Sequence, residues 1–399
     1  MKEFENADVV FVADYFLEDY GGGAERTTDA LIETSPYSII KVYSKDLSQE
    51  MIQLGIQKTW VFFNFRMMNH ELIPLIVGNL KYFVVEYDYK FCQFRSLDLH
   101  LKETGKNCDC DESQLGKIIT AFFHGSEHIF WMSQKQAALY HEKFPFLKHN
   151  NQTVLSSVFS IKDLEYIDSL NFNRKESNNK WAVIDGNSWI KGIDESITAV
   201  KLQGDDVEAE VIGGLPYYNL LRKLSKFAGL SFHPLGDDTC PRTTIEAKLL
   251  GLELSLGEKV QHKDEEWFNK SREDVEDYLL SRHEVFWNTI TSFVERDITV
   301  SGYTTTRNVI ELDYPWKESI KSMLGFCDEV IVLDGGSTDG TWEELQAWSV
   351  KEDKLIVKQV KRDWDNYRFA LYDFQQKAIA RTLCTSDWCW QMDIDEIVH

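Results

Sequence analysis

Two acidic residues near the end of the sequence, Asp393 and Asp395, follow the apolar run Trp388–Met392. The bulky run predicts a buried strand, and the two carboxylates at its tip could hold a divalent cation. Magnesium and manganese accept carboxylate oxygens and keep positions open for substrate phosphates. The pattern therefore predicts a site for a metal-bound diphosphate.

A second acidic turn lies earlier in the chain, where the apolar run Val330–Leu333 leads into Asp334-Gly335-Gly336-Ser337-Thr338-Asp339-Gly340. A calcium loop starting at Asp334 would need an oxygen ligand at its third position, glycine at its sixth and glutamate at its twelfth. Gly336, Asp339 and Leu345 occupy those positions, which excludes this type of loop. Two acidic strand tips separated by a helix are instead typical of a nucleotide-sugar site.

A third constellation combines acids with the start of a helix. A strand is predicted to end at Pro234 and a helix to begin near Thr243, while Asp238 and Glu246 stand eight residues apart around that start. Such a pair can accept hydrogen bonds from sugar hydroxyls while the helix N-terminus faces a diphosphate. An acidic helix cap is the alternative interpretation.

Three consecutive glycines, Gly21-Gly22-Gly23, stand between a predicted strand and a predicted helix. Glycines let the backbone approach a ligand closely, but the segment has neither the Walker pattern nor the Gly-x-Gly-x-x-Gly pattern. A ligand-binding turn and a purely structural turn both remain open.

Two patterns invite a zinc interpretation. Cys108-Asp109-Cys110 lacks a second Cys/His pair at zinc-like spacing, which favours an ordinary loop. His124-Gly125-Ser126-Glu127-His128 matches a zinc motif letter for letter, but that chemistry needs both histidines on one face of a stable helix. Gly125 and the strand-like run after the motif argue against such a helix. The seven irregularly spaced cysteines are typical of reduced thiols.

The acidic segment Glu86–Lys90 follows a predicted strand, Tyr82–Val85. At the carboxyl end of a strand such residues often face a ligand crevice. The segment is therefore a candidate acceptor contact, with a solvated charged loop as the alternative.

Composition limits the class of protein. The 399 residues predict two or three domains, and 43% hydrophobic residues suffice for packed cores. A net charge of −22 opposes binding to nucleic acid or to anionic lipid surfaces. Without an apolar leader or a long apolar run, the sequence predicts a cytoplasmic protein with no transmembrane segment.

Apolar runs alternate with helical patterns, which predicts an α/β fold. Three domains are predicted, over residues 1–170, 181–290 and 297–399, with the polar stretch Asn171–Lys180 as a linker and a charged helical region at 264–295. The strands expected in the first domain are Val9–Ala13, Ser38–Tyr43, Thr59–Phe63, Tyr82–Val85 and Ile129–Ser133.

Residues 8–290 resemble the retaining glycosyltransferases of family four, which have the GT-B fold. The family's Glu-x7-Glu region is similar to Pro234, Asp238 and Glu246-Ala247, with aspartate in place of the first glutamate. Trp189-Ile190-Lys191-Gly192 resembles the family's Lys-Gly turn, and Gly22-Gly23-Ala24-Glu25 its glycine loop. Asp185-Gly186-Asn187 stands where the family usually has a basic residue.

The resemblance to family four implies a set of site residues and no cofactor for this part of the chain. Lys191 would contact the donor phosphate. The implied catalytic residues are Glu246, Asp238 and Lys191, and the implied donor contacts are Gly22, Gly23 and Glu25.

Residues 297–399 resemble the N-terminal part of family-two glycosyltransferases, which have the GT-A fold. The matching elements are Thr304–Asn308, Asp334–Asp339 and Asp393–Glu396, with Gly335 where the family often has a second aspartate. The resemblance implies that Asp334 binds the base or ribose and that Asp393 and Asp395 hold Mn2+ or Mg2+. The other implied donor contacts are Thr306, Asn308, Ser337, Asp339 and Asp393.

The predicted architecture is thus two Rossmann-like domains, the first for the acceptor and the second for the donor, followed by a truncated GT-A-like domain. The expected activity is sugar transfer from a UDP- or GDP-linked donor to a glycan or other hydroxyl acceptor, bifunctional in full length. The family-two general base lies well beyond the metal motif, so we expect a fragment or a second domain that binds donor without catalysis.

Two alternatives remain open. One is a nucleotide-sugar-binding scaffold built from degenerate transferase domains. The other is a nucleotidyltransferase, although that class usually has a glycine-rich Lys/Arg loop after its first strand and Thr304–Asn308 contains no glycine.

Overall fold

The computed structural model of the chain describes residues 4, 6–172, 179–186, 189–204, 206–294, 299–361 and 369–398. They divide into two compact units, Met1–Val294 and Glu295–His399. Most of the predicted linker Asn171–Lys180 lies outside the described residues, as does Asn187. The predicted α/β class is confirmed, because helices alternate with strands that pair in parallel throughout three sheets.

The first unit begins with a six-stranded parallel sheet. Its strands are Val9–Ala13 (β1), Ile39–Tyr43 (β2), Thr59–Phe62 (β3), Lys81–Glu86 (β4), His128–Trp131 (β5) and Gln152–Val154 (β6). Their order across the sheet is β2-β1-β3-β4-β5-β6. Strand β1 is buried along its whole length, as expected of a parallel strand that is covered on both faces.

Seven helices accompany this sheet in the described residues. They are Gly23–Glu33 (α1), Gln49–Leu54 (α2), Ile73–Asn79 (α3), Leu97–Thr104 (α4), Gln114–His124 (α5), Gln134–Lys143 (α6) and Ile161–Phe172 (α7). The sequence patterns indicated only strands between residues 38 and 133, and so missed α2 to α5. Three of these four helices have only 6 to 8 residues, too few turns for the helical period to stand out.

The first unit continues with a four-stranded parallel sheet. Its strands are Lys180–Ile184 (β7), Glu208–Ile212 (β8), Gly229–Phe232 (β9) and Glu253–Leu256 (β10), in the order β10-β9-β7-β8. Its helices are Ile193–Lys201 (α8), Tyr217–Leu224 (α9), Arg242–Leu249 (α10) and Arg272–Val294 (α11).

Helix α11 joins the two sheets of the first unit into one core. It lies within the region 264–295 that was predicted to be helical, and its aromatic residues pack on the first sheet. The indole of Trp287 stacks on Phe11 at 5.9 Å between ring centroids and donates a hydrogen bond of 3.0 Å to the carbonyl oxygen of Leu31. Both halves therefore form one compact unit.

The second unit contains a four-stranded parallel sheet. Its strands are Val300–Thr306 (β11), Glu329–Asp334 (β12), Leu355–Gln359 (β13) and Trp388–Gln391 (β14), in the order β13-β12-β11-β14. Its helices are Trp316–Leu324 (α12), Thr341–Ser349 (α13) and Phe369–Thr382 (α14).

The prediction that the strand before Asp393 is buried is wrong. Strand β14 forms an edge of the sheet, where it pairs with β11. The side chains of Trp388 and Trp390 are 58% and 47% exposed. An apolar run cannot by itself distinguish a central strand from an edge strand, because burial depends on which elements pack over it.

Each sheet reverses its strand order at one point, between β1 and β3, between β7 and β9, and between β11 and β14. In open parallel sheets, ligands bind outside the carboxyl ends of the strands at such a point. Two acidic segments of the sequence follow strands of this set, β9 and β14, whereas the acidic turn at Asp334 follows β12, which lies away from the reversal. Among the described residues, no helix combines the length and apolar character that crossing a membrane requires.

Candidate functional site

A cavity of about 320 Å³ opens in the first unit, beyond the carboxyl ends of strands from both of its sheets. The glycine turn before α1, the Lys-Gly turn after β7 and the loop between β9 and α10 all contribute to its wall. Four of the predicted catalytic and donor-contact residues line it together, namely Gly23, Lys191, Asp238 and Glu246.

The Lys-Gly turn packs tightly against the end of β9. Gly192 has a φ of +57°, and a Cβ atom at this position would lie only 1.9 Å from the carbonyl oxygen of His233. Only glycine fits this backbone. The turn places the Lys191 ammonium nitrogen 3.6 Å from a carboxylate oxygen of Asp238, so the two loops meet through this ion pair.

Glu246 lies in the second turn of α10. Its side chain is 2% exposed, and one carboxylate oxygen accepts a hydrogen bond of 2.8 Å from the Tyr217 hydroxyl. The same oxygen lies 3.6 Å from Nε of Arg242, one helical turn away. Burial raises the pKa of Glu246, while the nearby Arg242 guanidinium opposes that change. The carboxylate is therefore held in one orientation at the cavity wall.

Arg242 is the centre of a buried ionic network. Its guanidinium lies 3.4 Å from a carboxylate oxygen of Asp163, donates to the carbonyl oxygen of Val158 at 2.5 Å and stacks on the Phe159 ring at 3.7 Å. The second carboxylate oxygen of Asp163 accepts from the Tyr218 hydroxyl at 3.0 Å. The network joins α10 to α7 and α9.

Sequence reasoning missed the residues that support Glu246. Arg242 carried a local signal, because an arginine four positions before a glutamate on a helix forms a pair. Tyr217 and Asp163 carried none, since they belong to other helices. Arg26 was also missed, although it directly follows the glycine turn, and its guanidinium lies 3.4 Å from the centroid of the Tyr217 ring.

The cavity of the first unit favours an anion. Arg26, Lys191 and Arg242 contribute three cationic side chains to its wall, against the two acids Asp238 and Glu246. Helices α1 and α10 both begin at this wall without a side chain capping their first N–H groups. Unpaired N–H groups and the helix dipole make such N-termini binding sites for phosphate.

Two predicted donor contacts do not line this cavity. Glu25 is buried, and burial raises its pKa, with Asp14 acting in the same direction. A Cβ atom on Gly22 would lie 2.4 Å from a carboxylate oxygen of Glu25. Gly22 and Glu25 thus belong to the part of the turn that does not line the cavity, while Gly23 lines it.

The interpretation of Glu86–Lys90 as a solvated loop is wrong. Glu86 is fully buried, where it pairs with the Lys90 ammonium at 2.6 Å and accepts from the Tyr140 hydroxyl at 3.1 Å. Tyr87 is the residue of this segment that lines the cavity. The segment therefore contributes an aromatic wall and not a carboxylate.

A second cavity, of about 530 Å³, lies in the second unit at the carboxyl ends of β11 and β14. Four predicted residues line it, namely Thr306, Asn308, Asp393 and Asp395. Lys377 of α14 pairs with Asp393 at 2.8 Å, a contact that the sequence did not indicate. Asp395 is exposed, and its carboxylate forms no hydrogen bond or ion pair with the described residues. The two carboxylates fit a cation that also binds a ligand in the cavity.

Asp334 stands apart from this cavity. It is fully buried, and one carboxylate oxygen accepts from the backbone N–H groups of Gly336 and Ser337 and from the Gln359 amide, each at 2.9 Å. In this conformation its hydrogen-bonding capacity serves the turn itself.

Ser337 and Asp339 connect that turn to the loop after β11. The Ser337 hydroxyl accepts from the Asn308 N–H at 2.8 Å, and Asp339 accepts from the N–H groups of Ile310 and Glu311 at 3.0 and 2.9 Å. These two residues do not line the cavity but hold the loop that does.

The two zinc patterns of the sequence differ in whether the fold brings their possible ligands together. His124 is the last residue of α5 and hydrogen-bonds to Asn150. His128 is the first residue of β5 and hydrogen-bonds to Thr153. The prediction that the two histidines do not share one face of a helix is confirmed. Cys108 and Cys110 lack a second Cys/His pair at zinc-like spacing in the sequence, but the fold brings Cys92 and His100 to them.

Comparisons with known proteins give only weak structural likeness. No protein-family model and no curated protein sequence match the chain. A solved structure of Phytolacca americana UGT2 complexed with UDP-2fluoro-glucose and pterostilbene aligns with a TM-score of 0.36 and 8% identity, over 72% of this chain and 99% of that chain. The proposals for this chain therefore rest on the geometry of its own residues.

Proposed function

We propose that the chain is a glycosyltransferase that takes a sugar from a nucleotide-sugar donor, with its main site at the cavity of the first unit. The observation that carries this proposal is the convergence of Lys191, Glu246 and two helix N-termini beyond the carboxyl ends of the strands. A diphosphate is the ligand that such a set of donors and cations matches best.

The chemistry assigned to this site is stabilisation of the leaving group. Negative charge develops on the nucleoside diphosphate as its bond to the sugar breaks, and preorganised donors stabilise that charge. Lys191 and the N-terminus of α10 supply them. Glu246, held by Tyr217 and Arg242, accepts hydrogen bonds from hydroxyl groups of the donor, and so orients the donor.

A second nucleotide-sugar site is proposed at the cavity of the second unit. Asp395 and Asp393 would hold a magnesium or manganese ion there, since Mg2+ is typically bound by one or two carboxylates together with substrate phosphates. The bound ion would supply positive charge that stabilises the departing diphosphate. Lys377, already paired with Asp393, adds a cation at the same wall.

Calorimetric titration with UDP and GDP, with and without manganese, tests the proposal. Without manganese we expect Lys191→Ala to weaken binding of the preferred nucleotide by roughly 10- to 100-fold, because it removes a charged hydrogen bond of about 1.5–3 kcal/mol. Lys226→Ala is the control, since Lys226 is an exposed lysine outside the cavity. Absence of binding of both nucleotides to the unmodified protein would instead favour the scaffold interpretation.

For the second site we expect Asp395→Asn to remove the manganese-dependent part of nucleotide binding. The substitution keeps the size of the side chain and removes the charge that a hard cation requires. Asp353→Asn, at an exposed position in the turn before β13, should leave that part unchanged. An unaltered response to manganese in Asp395→Asn would refute the assignment.

A further inference from the structure

Four potential metal ligands meet in the first unit, in the segment that connects β4 to α5. They are Cys92, His100, Cys108 and Cys110, and their ligand atoms all lie within 4.8 Å of one another. None of them lines the cavity assigned to the donor. Proteins combine three thiolates and one imidazole in this way to bind zinc.

The distances fit a tetrahedral zinc ion. His100 Nδ1 lies 3.6 Å from Sγ of Cys92 and 3.4 Å from Sγ of Cys110. With Zn–S near 2.3 Å and Zn–N near 2.05 Å, tetrahedral angles place sulfur and nitrogen about 3.5 Å apart. The single lone pair on Nδ1 can accept a hydrogen bond from only one thiol. One cation bound to this nitrogen and to both sulfur atoms explains both short distances.

The surroundings are those of a structural metal site. Cys92, His100 and Cys110 are 1%, 4% and 6% exposed, which leaves little room for a substrate. Nε2 of His100 faces a carboxylate oxygen of Asp109 at 3.8 Å, and zinc-bound histidines commonly direct their second nitrogen toward a carboxylate.

We propose that Cys92, His100, Cys108 and Cys110 bind one zinc ion per chain as a closed structural site. Binding forms three Zn–S bonds and one Zn–N bond, and the three thiols release their protons to solvent. Soft thiolate and imidazole ligands select zinc over magnesium or calcium.

The site would hold helix α4 against the loop that carries Asp238. Asp98 of α4 accepts from the backbone N–H of Asp237 at 2.9 Å and from the Lys259 ammonium at 2.7 Å. The long connection between β4 and α5 contains only α4 and a short 3-10 turn at Cys110–Glu112, so a metal clip that closes it adds order. The zinc ion thus braces one wall of the donor cavity from outside.

Elemental analysis of the full chain, purified without added metal or chelator, tests the proposal. We expect about one zinc per chain, lowered at least tenfold in Cys110→Ser. Cys389→Ser, which removes an exposed thiol of β14, should retain the metal. Exchange for Co2+ should produce thiolate-to-metal charge-transfer absorption together with the intense visible bands of a tetrahedral site.

Measurements on the unmodified protein test the zinc proposal even if Cys110→Ser does not fold. Removal of zinc by a strong chelator should lower the midpoint of thermal unfolding and increase hydrogen exchange in α4. Two results would overturn the proposal. The first is a reduced protein that contains much less than one zinc per chain and gives no cobalt–thiolate absorption. The second is a disulfide between two of these cysteines in protein purified under reducing conditions.

Discussion

Substitution of Arg242 by leucine is expected to lower the free energy of unfolding by about 3–5 kcal/mol. The guanidinium is buried between the carboxylates of Asp163 and Glu246, and leucine leaves both without their shared cation. Removing one partner from a buried ion pair costs far more than exchanging the whole pair for apolar residues, because a desolvated charge remains.

Chemical denaturation of the full chain, followed by circular dichroism, measures this effect. Arg222→Leu is the matched control, since Arg222 is an exposed arginine of α9 and surface substitutions usually change stability by less than about 0.5 kcal/mol. In the double variant Arg242→Leu/Asp163→Leu, we expect part of the lost free energy of unfolding to be recovered. Equal stability of Arg242→Leu and Arg222→Leu would show that the network contributes little.

Substitution of Glu246 by glutamine is expected to reduce sugar transfer by at least about 100-fold, the effect of losing one well-placed polar contact in an active site. The amide keeps the shape of the side chain, and its oxygen can still accept from the Tyr217 hydroxyl. Folding should therefore be retained while the charge that faces the cavity is lost.

Initial rates of nucleotide release from UDP- and GDP-linked hexoses, with and without a glycan acceptor, measure this effect. Glu253→Gln serves as the control, because Glu253 is exposed on strand β10. Nucleotide titration of the same variants separates a loss of donor binding from a loss of turnover. Unchanged turnover in Glu246→Gln would remove this residue from the proposed site.

Much of the architecture could be predicted because it depends on local patterns. Strand β1 has the predicted bounds, and helix α11 falls within the predicted helical region 264–295, since an apolar run and a charged helical pattern are properties of neighbouring residues. The acidic turns after β9 and β14 were recognisable for the same reason. The exposure of β14 was not, because the position of a strand within its sheet is a property of the whole unit.

The residues that support Glu246 in the candidate site could not be predicted from local sequence patterns. Tyr217 is 29 positions from Glu246, and Asp163 is 79 positions from Arg242. No spacing rule relates such residues, because their contact arises only when separate helices pack on the same sheet. The burial that fixes Glu246 and raises its pKa is likewise a consequence of that packing.

The sequence by itself determined the alternation of strands and helices, the acids at strand ends and the glycines that the turns require. Backbone preferences and apolar periodicity act over a few residues, so these features are readable without a fold. The tertiary structure alone decided which of those acids share a cavity, that Arg242 links Glu246 to Asp163, and that Cys92 and His100 join Cys108 and Cys110. Such assemblies form when the chain closes long loops, and the residues that meet there leave no regular spacing in the sequence.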